Sequence, residues 1–267
     1  MTENNLEICT TVYNLYKSYA HCNDSRDLKR HLIQIQQDLL EKGEINYRCI
    51  ERFKFAYPRI KDRFFYEKIL KLGQALKNEK PYFLDIGCCT GTDLRQLFID
   101  GYPKECLIGL EMQQCYIDCG YSLFRDNTHT CPIRFLTENL FDIDDQHPLY
   151  KKVKIIHAGS VFHLFNSSED IEKCIYQTTE LLQPGGLLVG GHVCADRSVR
   201  YYRQSTNSVK YLSGIDDFKQ LLSKQRFTDI QIETHPRLGE EENEQSDFTA
   251  FFVSFSAVYN PHSLLKK

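Results

Sequence analysis

No run of apolar residues in this chain of 267 approaches the roughly 18 to 20 that a membrane-spanning helix needs. An excess of positive charge is missing too. Lys and Arg number 33 against 36 Asp and Glu, a net charge of −3, which points away from a nucleic-acid surface. The N-terminal Met-Thr-Glu-Asn-Asn-Leu-Glu has neither the basic start nor the apolar core of an export signal, so none is expected. The 11 cysteines are odd in number and lack a disulfide-framework spacing. Reduced thiols and a cytoplasmic location are therefore expected. Neither Cys88 with Cys89 nor Cys115 with Cys119 has a second pair at zinc spacing, so no metal site is expected. Internal repeats and low-complexity tracts are absent.

What is present suffices for a sizeable core: 42% of residues are hydrophobic. The length suits one large domain or a domain with an extension. Residues 1–80 read as helical. Ser25 is placed to cap a helix whose Leu28, Leu32, Ile35 and Leu39 recur every three or four positions, and Gly43 stops it. Pro58 breaks any helix in the aromatic stretch around Phe53, Phe55 and Tyr57, and a second helix is expected from about Arg63 to Leu76. Two readings of the aromatic stretch stand: packing on the main domain, or Tyr57 and Arg59 reaching a ligand. From residue 81, strands and helices alternate, the sign of a parallel sheet with crossover helices.

The chain is organised around Phe83-Leu-Asp-Ile-Gly-Cys-Cys-Thr-Gly-Thr-Asp93. It reads as a buried strand Tyr82 to Ile86, a small-residue turn and a helix start. Glycines at such a turn let the backbone pass close to a ligand, and the helix N-terminus offers free N–H groups. The dinucleotide fingerprint G-x-G-x-x-G fits poorly, because Cys89 and Thr92 stand where its second and third glycines belong. Leu107 to Glu111 is the expected second strand. An acid at that strand's end accepts from ribose hydroxyls in nucleoside-binding α/β folds, which is the place of Glu111. Ile133 to Leu136, Lys154 to Ala158 and Leu187 to Gly190 are the next strands. A helix capped by Asn166, Ser167 or Ser168 ends at Pro184-Gly-Gly186. Residues 195–214 read as a loop or lid insertion, Asp216 to Arg226 as a helix, and Phe227 to Thr234 and Phe248 to Tyr259 as the last strands. The acidic Gly239 to Glu244 between them reads as a solvated loop.

The pattern Asp-x-Gly-x-small-x-Gly at residues 85–91 resembles the first motif of class I S-adenosylmethionine (SAM) methyltransferases. A narrower resemblance, over residues 45–225, is to fungal small-molecule methyltransferases of secondary metabolism, such as those of meroterpenoid pathways. It rests on Phe-Ala-Tyr-Pro-Arg-Ile60, on Phe83 to Arg95, on Gly-Tyr-Ser-Leu-Phe-Arg-Asp126, on Glu-Asn-Leu-Phe-Asp142 and on His157 to Phe165. The resemblance implies a Rossmann-like seven-stranded α/β sheet, mostly parallel with the last strand antiparallel. A helical extension or lid (1–80) would precede a SAM-binding domain (81–267). The implied SAM-binding residues are Asp85, facing the amino acid part, Gly87, Cys88, Cys89 and Gly91 in the turn, and Glu111 with Met112. Asn139 and Leu140 at adenine and Ser160 after the fourth strand complete them. The family usually has an acid where Asn139 stands; Asn accepts through its oxygen.

Methyl transfer from a sulfonium releases a neutral leaving group, so alignment supplies much of the rate. A carboxylate nucleophile needs no base, whereas a hydroxyl does, and His is the usual one. His163 and His192, just past the fourth and fifth strands, are the candidates. The resemblance implies O-methylation of a carboxyl or hydroxyl group on a small molecule, with no nucleic-acid or membrane partner. A homodimer is compatible with it but not fixed by any residue. A protein or RNA methyltransferase, and a SAM-binding regulatory protein without activity, are the alternatives. The chain lacks an Asn/Asp-Pro-Pro-Tyr type sequence of amino-group methylators, and Asp85, Gly87, Gly91 and Glu111 would serve a binder as well as an enzyme.

Overall fold

A computed structural model describes residues 6, 8–44, 47–75, 80–203, 207–237 and 247–263. The chain opens with α1 (Thr10–Tyr19), α2 (Ser25–Lys42), α3 (Arg48–Glu51) and α4 (Tyr66–Ala75). Two 3-10 turns, Lys54–Ala56 and Arg59–Asp62, lie between the last two. Strands and helices then alternate as β1 (Tyr82–Ile86), α5 (Thr92–Ile99), β2 (Leu107–Glu111), α6 (Gln114–Phe124) and β3 (Arg134–Thr137). They continue as β4 (Val153–Gly159), α7 (Ser168–Leu181) and β5 (Leu182–Ala195). The remainder is β6 (Val199–Arg203), β7 (Ser208–Leu212), α8 (Ile215–Lys224), β8 (Phe227–Pro236) and β9 (Ala250–Tyr259).

Seven strands form one sheet in the order β3-β2-β1-β4-β5-β9-β8. The last, β9, runs antiparallel to both its neighbours, and the other six share a direction. This is the mostly parallel, Rossmann-like sheet with a reversed last strand that the sequence led us to expect. β1 is a nearly continuous apolar run because a central parallel strand is covered on both faces.

The chain divides into two compact units, residues 1–80 with 87–139 and residues 81–86 with 140–267. In the first, the stripe Leu28, Leu32, Ile35 and Leu39 of α2 is buried with Tyr16, Tyr116, Leu123 and Phe124 in one cluster. Tyr16 stacks on Phe124 with ring centroids 5.1 Å apart. Asp24, not Ser25, caps α2: its carboxylate accepts from the backbone N–H groups of Arg26 and Asp27. The side chain one residue earlier has the reach to those donors, and such a cap contributes about 1 kcal/mol. α4 starts at Tyr66 instead of Arg63, and Leu76 lies outside the described residues.

In the second unit Ser167 caps α7, accepting from Asp170 N. β5 runs on to Ala195, well past Gly190, because β9 pairs with it residue for residue from Leu187 to Ala195. The expected loop at 195–214 contains an antiparallel ribbon, β6 on β7. Alternation in a polar, aromatic sequence makes it: Val199, Tyr201 and Leu212 turn one way onto Phe248, with Tyr201 and Phe248 rings 5.2 Å apart. Residues 204–206, the acidic segment Gly239 to Glu244 and the first seven residues except Leu6 lie outside the described residues. Among the described residues no helix is long and apolar enough to cross a membrane.

Candidate functional site

In the first unit the turn after β1 is built from three left-handed residues, Gly87 (φ 65°), Cys89 (φ 52°) and Gly91 (φ 68°). A left-handed cysteine costs of the order of 1 kcal/mol and persists where the surroundings hold it. The surroundings here are specific. Gly87 N and Cys88 N donate to Leu110 O at 2.8 and 3.2 Å, and Gly91 N donates to Cys88 O at 2.8 Å. Cys89 N donates to Glu111 Oε2 at 3.0 Å, and Gln113 N donates to Oε1 of the same carboxylate at 3.1 Å. The hydroxyls of Thr90 and Thr92 both donate to Phe55 O, at 3.2 and 2.5 Å. The aromatic N-terminal stretch therefore packs on the turn, with Phe55 buried.

Glycines let neighbouring elements press in. A Cβ on Gly120 of α6 would lie 2.5 Å from Thr90 O, and one on Gly109 of β2 would lie 2.7 Å from Cys88 Sγ. Beneath the turn, Arg95 is fully buried and donates to Thr90 O at 2.8 Å.

Glu111 is half-buried at the end of β2, and Met112 beside it is 65% exposed. The two carboxylate oxygens of Glu111 each accept a backbone N–H, which fixes the plane of an acceptor-only group. Such an acceptor suits the vicinal hydroxyls of a ribose, which donate to it, and the exposed thioether side chain suits the face of a flat ring. Gly87 is exposed. Asn139 is half-buried just past β3. Burial pushes the Cys89 thiol well up, so it stays protonated and supplies no thiolate.

In the second unit Asp85 is buried at the end of β1 and directly opposite His157 of β4. Its Oδ1 lies 2.8 Å from His157 Nδ1. Leu140, half-buried, opens the 3-10 turn Leu140–Asp142. Ser160 has φ 75° and donates its N–H to Gly191 O at 2.6 Å. His163 is half-buried in the 3-10 turn Phe162–Leu164 that follows β4. His192 lies inside β5 instead of beyond it, 1% exposed, because β9 extends the ladder past it. Its ring sits 4.4 Å from Phe218 and 5.4 Å from Phe162, with Nε2 3.2 Å from Cys194 Sγ. Burial, and next the charge of His163, hold its pKa well below the usual value, so the ring is neutral.

His157 and the Arg95 to Asp126 pair lie in stretches that carry the resemblance, but the sequence reading assigns them no site role. A polar His in an apolar strand was the available signal for the first. For the second it was the recurrence of Arg and Asp in the two stretches Asp-Leu-Arg95 and Phe-Arg-Asp126. Among the described residues no group of three His, Cys, Asp or Glu is placed to hold a metal ion.

No family model matches the chain. It is 30% identical over 228 residues to the Asnovolin E/Chermesin D methyltransferase of Aspergillus novofumigatus, covering 84% of this chain and 77% of that protein. It is 34% identical over 151 residues to an O-methyltransferase of a fungal species, covering 55% of this chain and half (50%) of the relative's length. Among solved structures it superposes on the Burkholderia thailandensis 1,6-didemethyltoxoflavin-N1-methyltransferase, bound to 1,6-didemethyltoxoflavin and S-adenosylhomocysteine. The TM-score is 0.53 at 11% identity, over 90% of this chain and 92% of that one, a likeness of fold. The chain thus belongs to the fungal secondary-metabolite methyltransferases and is a SAM-dependent methyltransferase of the class I fold.

Proposed function

We propose that this enzyme methylates an oxygen of a small secondary metabolite, a carboxyl or a hydroxyl group. The observation that carries the reading is the 34% identity to a relative named as an O-methyltransferase. Bound SAM supplies an electrophilic methyl group. In our reading Glu111 accepts from the ribose hydroxyls, and Met112, Asn139 and Leu140 meet adenine. Gly87, Cys88, Cys89, Gly91 and Ser160 give the cofactor room, and Asp85 takes the ammonium of its methionine part. The left-handed turn, the two N–H bonds that fix the Glu111 carboxylate and the buried Asp85 support these assignments.

A carboxylate substrate is already ionised at neutral pH and asks the protein for alignment alone. A hydroxyl substrate needs a base. His163 is our candidate for it, since it is half-buried while His192 is 1% exposed in an aromatic cluster. Residues 1–80 and the insertion at 195–214 select the substrate in this reading, and the protein acts in the cytoplasm. The test is a screen of aromatic and terpenoid carboxylic acids and phenols, scored by S-adenosylhomocysteine release. His163→Ala should spare carboxyl acceptors and slow hydroxyl acceptors by about a hundredfold or more. Turnover confined to amines, peptides or RNA would overturn the proposal.

A further inference from the structure

The strand-end carboxylate does not stand by itself. Asp85 and His157 are register partners on the parallel strands β1 and β4, with Nδ1 and Oδ1 2.8 Å apart. Their side chains are 5% and 4% exposed. An ionised carboxylate can only accept, so the proton in this bond belongs to His157 Nδ1. A buried carboxylate needs such partners, since an unpaired one carries a large desolvation cost.

The imidazole is itself held in place. Residues two apart share a strand face, so Phe83, Asp85, His157 and Gly159 line the same side of β1 and β4. The Phe83 ring lies tilted by 31° beside the imidazole, centroids 6.1 Å apart. The ring also lies against Gly159, where a Cβ would come within 2.6 Å of His157 Cε1. Phe83 and the bare Gly159 backbone thus leave the ring little freedom to turn away from Asp85.

We propose that His157 is the positioning residue for cofactor binding: it fixes the Asp85 carboxylate so that it meets the α-ammonium of SAM. An Nδ1–H donor suits this task, because its hydrogen bond orients the carboxylate that the ammonium requires. A lysine or arginine in its place would compete with the ligand. The inference rests on the proposed role of Asp85.

The test compares two ligands by calorimetry. S-Adenosylhomocysteine carries the amino acid part, and 5′-methylthioadenosine keeps the nucleoside and the thioether but lacks it. His157→Ala should weaken S-adenosylhomocysteine about tenfold or more while leaving 5′-methylthioadenosine nearly unchanged, as expected for a charged hydrogen bond left unoriented. His157→Asn carries its amide nitrogen at the same bond distance from Cα as Nδ1 and should restore the preference. His157→Gln, one bond longer, should not. The Asn and Gln pair decides the matter if the Ala variant fails to fold.

Equal weakening of both ligands, or no change in their ratio, would overturn the role of His157. Asp85→Asn separates the two levels. If it too leaves the ratio unchanged, the assignment of Asp85 falls. If it abolishes the preference while His157→Ala does not, only the present inference falls.

Discussion

Arg95 on α5 grips Asp126, just past α6, with a two-pronged bond: Nε to Oδ2 at 3.0 Å and Nη2 to Oδ1 at 2.9 Å. The guanidinium is fully buried, lies 4.3 Å from the centre of the Phe124 ring and also donates to Thr90 O in the glycine turn. Tyr19 of α1 donates to the same carboxylate at 2.6 Å. The pair therefore ties α1, α5, α6 and the turn together. Arg95→Ala would leave a buried carboxylate uncompensated, and a loss of about 3–5 kcal/mol is expected from denaturant unfolding. Arg95→Lys should recover little, since an ammonium cannot make the fork. Arg95→Met with Asp126→Leu should cost less than the two single changes summed.

Gly120 offers a test of sign. In an exposed helix, Gly→Ala gains about 1 kcal/mol. Here the added Cβ would lie 2.5 Å from a backbone oxygen of the turn. Gly120→Ala is expected to lower the melting temperature and to weaken SAM binding together. Stabilisation with unchanged binding would show that α6 does not support the turn.

His192 sets a pH dependence. Burial first, and then His163, keep its imidazole neutral in the folded protein. The unfolded chain takes up a proton there below about pH 6.5, so this stability is complete above that value and is lost as the pH falls. The wild type should lose roughly 1.4 kcal/mol more than His192→Leu between about pH 7.5 and 5.5, read from urea titrations. Equal losses would contradict a neutral buried ring.

Methyl transfer from a sulfonium to oxygen needs no Lewis acid, and no group of three His, Cys, Asp or Glu among the described residues has the placement of a metal site. Activity should persist in excess chelator, measured as S-adenosylhomocysteine release. Inactivation reversed by a divalent cation would contradict this.

The elements that carry the turn were legible because their burial is continuous. β1 and β2 begin and end at the residues expected from their apolar runs and terminal acids. β3 is displaced by one residue, as its half-exposed Arg-Phe-Leu-Thr gives a weaker apolar signal. The full length of β5 was hidden, because Gly191, His192 and Cys194 owe their strand geometry to pairing with β9. β6 and β7 fall in a stretch expected to be a loop, because Arg, Tyr and Ser mask their alternation. At the turn, the positions of Gly87, Gly91 and Glu111 could be read from local chemistry. The bond from Asp85 to His157 depends on strand register, and no spacing along the chain encodes that over 72 residues.

The most direct measurement is calorimetry of SAM with the wild type, Asp85→Ala and Glu111→Ala. The account predicts saturable binding by the wild type, weakened about tenfold or more in each variant as charged hydrogen bonds are lost, with folding intact by circular dichroism. Wild-type affinity in both variants would contradict it and place the cofactor elsewhere than at these two strand ends.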